Sequence, residues 1–317
     1  MIWYALTKFL GLVATLLVAA AITFVALDLL PGDVARFILG INATPESVEA
    51  LREQLGLNAS ALERFLGWLR GMLVGDFGMS YTQREPVAGL IAGRLGVTLP
   101  LTFFAMVLSV AIGLPIGILA ARKRGSITDT GLMVLSQLGV AIPNFWFGML
   151  LVLLFSVTLR WLPPGGFVPW SDNFLGALSS LILPSFALAL PQAAILARVT
   201  RTALVDVQSS DYIRTARAKG LTMSEAVWRH GVRNAMLPVL TILGLQFAYL
   251  VAGTVIVENV FYLPGLGRLI FDAISARDLI LVRSSVMILV VVVIGTMFLT
   301  ELAYGWVDPR LRGRRDE

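Results

Sequence analysis

The chain has 317 residues, of which 57% are hydrophobic and only 14% charged, with a mean hydropathy of +0.82. These values lie far outside the composition of a soluble globular domain and place the chain among membrane proteins. The absence of cysteine and a single histidine, His230, exclude disulfides and thiolate catalysis and argue against a Cys/His metal cluster.

Six segments are long and apolar enough to cross a hydrocarbon core of ~30 Å, which takes roughly 20 helical residues. They run approximately over 9–30, 99–121, 132–158, 178–199, 237–257 and 284–306. The first is read as a retained span, because Phe9 to Leu27 is uncharged for longer than the h-region of a signal peptide. The expected fold class is all-α and polytopic, with six transmembrane helices. Its parts are a first span plus external amphipathic region (1–98), a core transmembrane domain (99–310) and a short tail (311–317).

The loop after the first span carries helix signals. Pro31-Gly32-Asp33 ends the span, and Thr44-Pro45 then reads as an N-cap with proline at the first helical position. Val48, Leu51 and Leu55 form a stripe that stops at Gly56. Ser60 and Glu63 form a capping box ahead of Leu62, Phe65, Leu66, Leu69 and Leu73. Two short amphipathic helices are therefore expected, lying in the membrane interface or capping other helices. Asn42-Ala43-Thr44 and Asn58-Ala59-Ser60 match glycosylation acceptors, but both sites serve as caps.

Positive charge is distributed unevenly between the two sets of loops. The N-terminus, the loops 122–130 and 198–236 and the tail after 307 hold 15 Lys or Arg against 7 acids; the other loops hold 10 against 11. The positive-inside rule puts both termini and the 198–236 loop in the cytoplasm. Within that loop lies a basic helical hairpin. Ser209-Ser210-Asp211 supplies cap candidates, Tyr212 to Lys219 makes about two turns, and Gly220 ends them. Thr222 and Glu225 form a second capping box. Ala216, Ala218 and Gly220 carry almost no side chain, so a partner surface can approach the backbone while Arg214, Arg217 and Lys219 orient it.

Inside the spans, uncharged polar groups are costly unless paired, so Gln137, Asn144, Gln192 and Gln246 are candidates for interhelical bonds or for the translocation path. Pro115, Pro143, Pro184 and Pro191 interrupt the helical pattern and are read mainly as kinks, and Gly113 with Gly117 as a G-x-x-x-G that allows close packing. Glu258, Asp272, Arg277, Asp278 and Arg283 fall in an external loop near Pro264-Gly265 and are expected to form loop salt bridges. No charge sits at a span centre, which counts against an ion- or proton-coupled secondary transporter, the rival class. No Walker lysine exists: Lys8, Lys123 and Lys219 are followed by Phe, Arg and Gly, so nucleotide chemistry must come from another subunit.

The segment YIRTARAKGL, followed by WRHGVRNAMLPVLT, resembles the EAA loop of ABC-importer permeases in the form found in the dipeptide/oligopeptide/nickel family. Similar motifs run along nearly the whole chain: LPGD at 30–33, LREQLGL at 51–57, GDFGMSY at 75–81, IPNFWFGMLL at 142–151, FYLPGLGRLI at 261–270 and DPR at 308–310. The likeness is to the first permease of such systems. Arg214, Thr215 and Ala216 stand where the generic motif has Glu-Ala-Ala, Gly220 keeps the motif glycine, and the interval to Leu237-Pro238 is longer than in the generic form. The resemblance implies a type I ABC-importer permease fold in a bacterial or archaeal inner membrane. Its implied partners are a second homologous permease, two cytoplasmic ATPases that bind ATP and Mg, and an external solute-binding protein; no cofactor or nucleic acid is expected on this chain. It implies ATPase coupling through Tyr212, Arg214, Thr215, Ala216, Arg217, Lys219, Gly220 and Leu221. Implied solutes are di- or oligopeptides, with nickel chelates, glutathione and some sugars or opines as alternatives.

Overall fold

The computed structural model of the chain describes residues 2–28, 34–40, 43–54 and 56–307. Pro31-Gly32-Asp33, the LPGD and DPR motifs, Leu55 and the 311–317 tail lie outside the described residues. Among the described residues there is no strand, only an isolated antiparallel bridge between Met79 and Pro86.

The first span is α1 (Ile2–Asp28). Three short helices follow: α2 (Val34–Leu39), α3 (Pro45–Gln54) and α4 (Ala61–Val74). The capping signals of α3 and α4 are realised. Thr44 Oγ1 accepts from Ser47 N at 3.2 Å, and Ser60 and Glu63 exchange both bonds of the box. α2 was not foreseen, since six residues beside a span end carry too little periodicity to register. α4 both caps and faces outward. Phe65 and Trp68 pack on Phe24 of α1, while Leu62, Leu66 and Leu73 stay exposed.

The long helices are α5 (Val87–Arg122), α8 (Phe174–Gln208), α11 (Val232–Val260) and α13 (Leu279–Val307). At 1.5 Å per residue α5 and α8 reach about 54 and 52 Å, well beyond the bilayer core. They pack along each other through small residues. A Cβ on Gly113 would sit 2.7 Å from the Ala193 carbonyl oxygen, and one on Gly117 only 2.5 Å from that of Ala197. A G-x-x-x-G on one helix thus meets an A-x-x-x-A on the other, as expected for apolar helices without a hydrophobic drive between them. α11 lies against α8 and α13, and the core it shares with α5 and α8 contains Leu101, Leu181, Leu188, Leu250 and Phe261. α1 runs beside α13, joined by Phe9 on Phe298 and by Lys8–Glu301 at 3.1 Å.

The third expected span, 132–158, is a broken one. α6 (Ile127–Ala141) and α7 (Asn144–Leu151), with a π-helical continuation over Val152–Thr158, meet at 99°. The break is at Pro143. Its ring drives Ile142 to extended backbone (φ −81°, ψ 123°), and its nitrogen offers no donor. At the other three prolines the helix is not broken: Pro115 lies inside continuous α5, and Pro184 and Pro191 inside continuous α8. Five helices and this bent pair make up to six spans.

Candidate functional site

α8 ends in the hairpin. α9 (Asp211–Ala218) gives way at Gly220, whose φ of +96° is the left-handed conformation that glycine enters without strain. α10 (Met223–Ala226) starts with the predicted Thr222–Glu225 box, passes through a π turn over Val227–Gly231, and continues into α11. Val232 N bonds to the Val227 carbonyl oxygen five residues back, which defines the wider turn.

The hairpin has its own apolar core. Ile213 (0% exposed) and Ala216 (6%) pack with Val207, Ala226, Val227 and Ala235, and half-buried Leu221 joins them. Gly231 is needed there, because a Cβ would lie 2.5 Å from Val207 Cγ1. Asn234 Nδ2 donates to Tyr212 Oη at 3.2 Å, tying α9 to α11. Two details of the sequence reading change. Ala216 points inward, so its smallness serves the hairpin's own packing and gives no access to the backbone from outside. Ser210 occupies the N-cap, but its hydroxyl donates back to the Val207 carbonyl at 2.6 Å and makes no cap bond. Tyr212, Arg214, Thr215, Arg217, Ala218, Lys219 and Gly220 form the exposed rim, extended by Trp228, Arg229 and His230. The geometry is a rigid cationic knob whose inner face is anchored to two long helices.

The polar residues of the spans do not converge on one place. Gln246, buried, donates through Nε2 to the Gln192 backbone oxygen at 2.8 Å, joining α11 to α8. The Oε1 atoms of both glutamines are buried without a hydrogen-bond partner among the described residues. Gln137 is exposed and accepts from Arg198 at 2.8 Å; Asn144 Oδ1 accepts from its neighbour Phe145 N at 3.0 Å.

The acids expected in loop salt bridges are mostly helix-terminal anchors instead. Glu258, fully buried, accepts from Thr98 Oγ1 (2.6 Å) and from Gly267 N and Arg268 N (2.8 and 3.1 Å), the first turn of α12 (Leu266–Ser275). A carboxylate at a helix N-terminus meets unpaired N–H groups and the positive end of the dipole. Asp278, also buried, accepts from Ser80 Oγ (2.6 Å), Thr82 N and Oγ1, and Leu281 N at the start of α13. Arg283 stacks over Trp68 and Phe24, at 4.8 and 5.3 Å from the ring centroids. Asp272 pairs with Arg268 one turn away on α12, at 3.9 Å. A bidentate pair, Asp129 with Arg201 at 2.5 and 2.6 Å, joins α6 to α8 and was missed because its members lie 72 residues apart.

A basic knob rooted in long apolar helices, with charged groups used as fasteners at helix ends, defines a multi-pass membrane protein. The chain belongs to the family described as the binding-protein-dependent transport system inner membrane component, which matches residues 113–313, and its N-terminal family counterpart matches residues 1–102. It is thus an ABC-importer permease subunit. A Brucella abortus (strain 2308) chain named as a peptide transport system permease protein is 43% identical over 300 residues, covering 95% of this chain and 96% of that one. The glutathione transport system permease protein GsiC of Escherichia coli (strain K12) is 40% identical over 312 residues, covering 98% and 99%. Among solved structures, an inward facing MetNI methionine ABC transporter superposes with a TM-score of 0.58 at 20% identity, covering 71% of this chain and 99% of that one, which supports the fold.

Proposed function

We propose that the chain forms half of the translocation pathway for peptides, with the knob of α9 seated on a cytoplasmic ATPase. The supporting observation is the knob's construction. Its exposed rim carries Arg214, Arg217 and Lys219 around the small Ala218 and Gly220, while Ile213 and Ala216 lock it to α8 and α11. A push on the rim reaches both helices without an intervening flexible loop. Two ATPases holding ATP and Mg would drive the change between inward- and outward-open states, by rigid-body movement against a second, homologous permease. An external solute-binding protein would deliver the solute, and both termini would lie in the cytoplasm of a bacterial or archaeal cell.

Peptide is favoured by the naming of the Brucella relatives, and glutathione, itself a short peptide, by GsiC. Gln192 and Gln246, with Gln137 and Asn144, would offer amide groups to peptide backbone.

The coupling is tested by Ala218→Trp, which adds bulk on the exposed rim and leaves the buried face alone. Membrane insertion should be normal, while ATPase co-purification and peptide uptake fall to background. Full uptake by this variant would refute the docking. The purified chain alone should hydrolyse no ATP above background.

A further inference from the structure

A cavity of about 340 Å³ opens between α1, α4 and α13, at the end of the bundle opposite the knob. Its walls include Phe24, Asp28, Arg64, Trp68, Tyr81 and Arg283. Three donors there are buried without an acceptor in the described residues: Arg64 Nε, Arg283 Nε and the Trp68 indole Nε1–H. Trp68 is itself only 8% exposed. Such orphans are rare in folded proteins and call for a partner.

The charges in the wall are unequally engaged. Asp28 is taken up by Arg64, at 2.7 Å, and Asp76, exposed, accepts from Gly78 N at 3.0 Å. Arg283 has no ion pair among the described residues and lies over the faces of Trp68 and Phe24. The Tyr81 hydroxyl adds a donor that burial keeps protonated by raising its pKa. An oxygen-rich anion meets all these groups, since arginine and indole N–H groups bind phosphate oxygens through charge-assisted hydrogen bonds.

The place in the fold says where the anion comes from. The cavity lies where α1 ends and α13 begins, so it is at the rim of the apolar belt. Its wall continues into Leu27 and Ile280, and α4 beside it exposes Leu62, Leu66 and Leu73, the pattern of a helix lying in the interface. We propose that this cavity binds the phosphate of a membrane phospholipid headgroup, with Arg283 and Trp68 as its principal donors and the acyl chains lying along Leu27 and Ile280.

The test uses the full chain purified with its transport complex in detergent and titrated with dioleoylphosphatidylglycerol, dioleoylphosphatidylethanolamine, dioleoylglycerol or inorganic phosphate. Bound lipid is counted by native mass spectrometry. Both phospholipids should be retained and dioleoylglycerol lost. Arg283→Gln and Trp68→Phe should each weaken retention by about tenfold, as expected for loss of a hydrogen bond to a charged group. Arg283→Lys, which keeps the charge, should fall between, and it serves in place of the glutamine variant should that one fail to fold. Retention of dioleoylglycerol equal to that of the phospholipids, or unchanged retention in Trp68→Phe and the arginine variant, overturns the site. Occupancy by inorganic phosphate at phospholipid-like concentration overturns the lipid as its source.

Discussion

Glu258→Ala is expected to destabilise the helix-terminal corner without touching the knob. The carboxylate accepts three hydrogen bonds, from Thr98, Gly267 and Arg268. Thr98 Oγ1 is itself the acceptor for Leu266 N at 2.8 Å and is held in place by it, and Arg268 N is only partly buried, so the buried backbone donor left without an acceptor is Gly267 N–H. A buried orphan costs about 1–3 kcal/mol, and losing a negative charge at a helix N-terminus about 0.5–1 kcal/mol more. Removing the carboxylate also removes its own cost of burial, which offsets part of the loss. The net expectation is about 2 kcal/mol. Glu258→Gln keeps a carbonyl for Gly267 while shedding the charge, so it should stay within about 1 kcal/mol of the parent. In a fluorescence melt of the detergent-solubilised protein, the alanine variant should lose roughly 4–8 °C and the glutamine variant half of that or less, at 2–4 °C per kcal/mol. An alanine variant melting with the parent, or a glutamine variant melting as low as the alanine variant, would refute the capping account.

Gly117→Leu should separate α5 from α8 and abolish a folded, monodisperse chain, whereas Gly117→Ala should cost about 1–3 kcal/mol, read in the same melt. Asp129→Asn and Arg201→Gln should each cost about 2–3 kcal/mol, and the double variant less than their sum; additivity within about 0.5 kcal/mol would mean the pair does not couple α6 to α8. Asp278→Ala should loosen the Ser80–Thr82 turn and the start of α13, detected as faster proteolysis after Arg84 at unchanged membrane insertion. Ala216→Glu should misfold the hairpin, in contrast to Ala218→Trp, and a normally assembled Ala216→Glu chain would contradict the inward orientation of that residue.

Wherever a signal is local, the sequence reveals the structure. The Ser60–Glu63 and Thr222–Glu225 boxes span three residues, and Gly220 needs only its own positive φ, so each is readable in place. Hydropathy finds the spans because it sums composition over a window, and for the same reason it passes over the 99° turn inside 132–158. Proline is ambiguous to such a reading: the same residue type breaks the chain at Pro143 and rides within continuous helix at Pro184 and Pro191. Charged residues were legible as residues and not as pairs. Thr98 and Glu258 meet across 160 positions and Ser80 and Asp278 across 198, separations over which no periodicity operates. Smallness was read correctly at Gly113 and Gly117 and misassigned at Ala216, since a missing side chain looks the same whether the neighbour is the chain itself or another protein.

The π turn at Val227–Gly231 has a directional consequence. It accommodates one residue more than an α-helical path would, and each residue of a helix advances the heading by about 100°. The compass bearing of Arg214, Arg217 and Lys219 relative to α11 is therefore set by a count, not by a side chain. Excising a single position there would swing the cationic edge to another azimuth without substituting Arg214, Arg217 or Lys219.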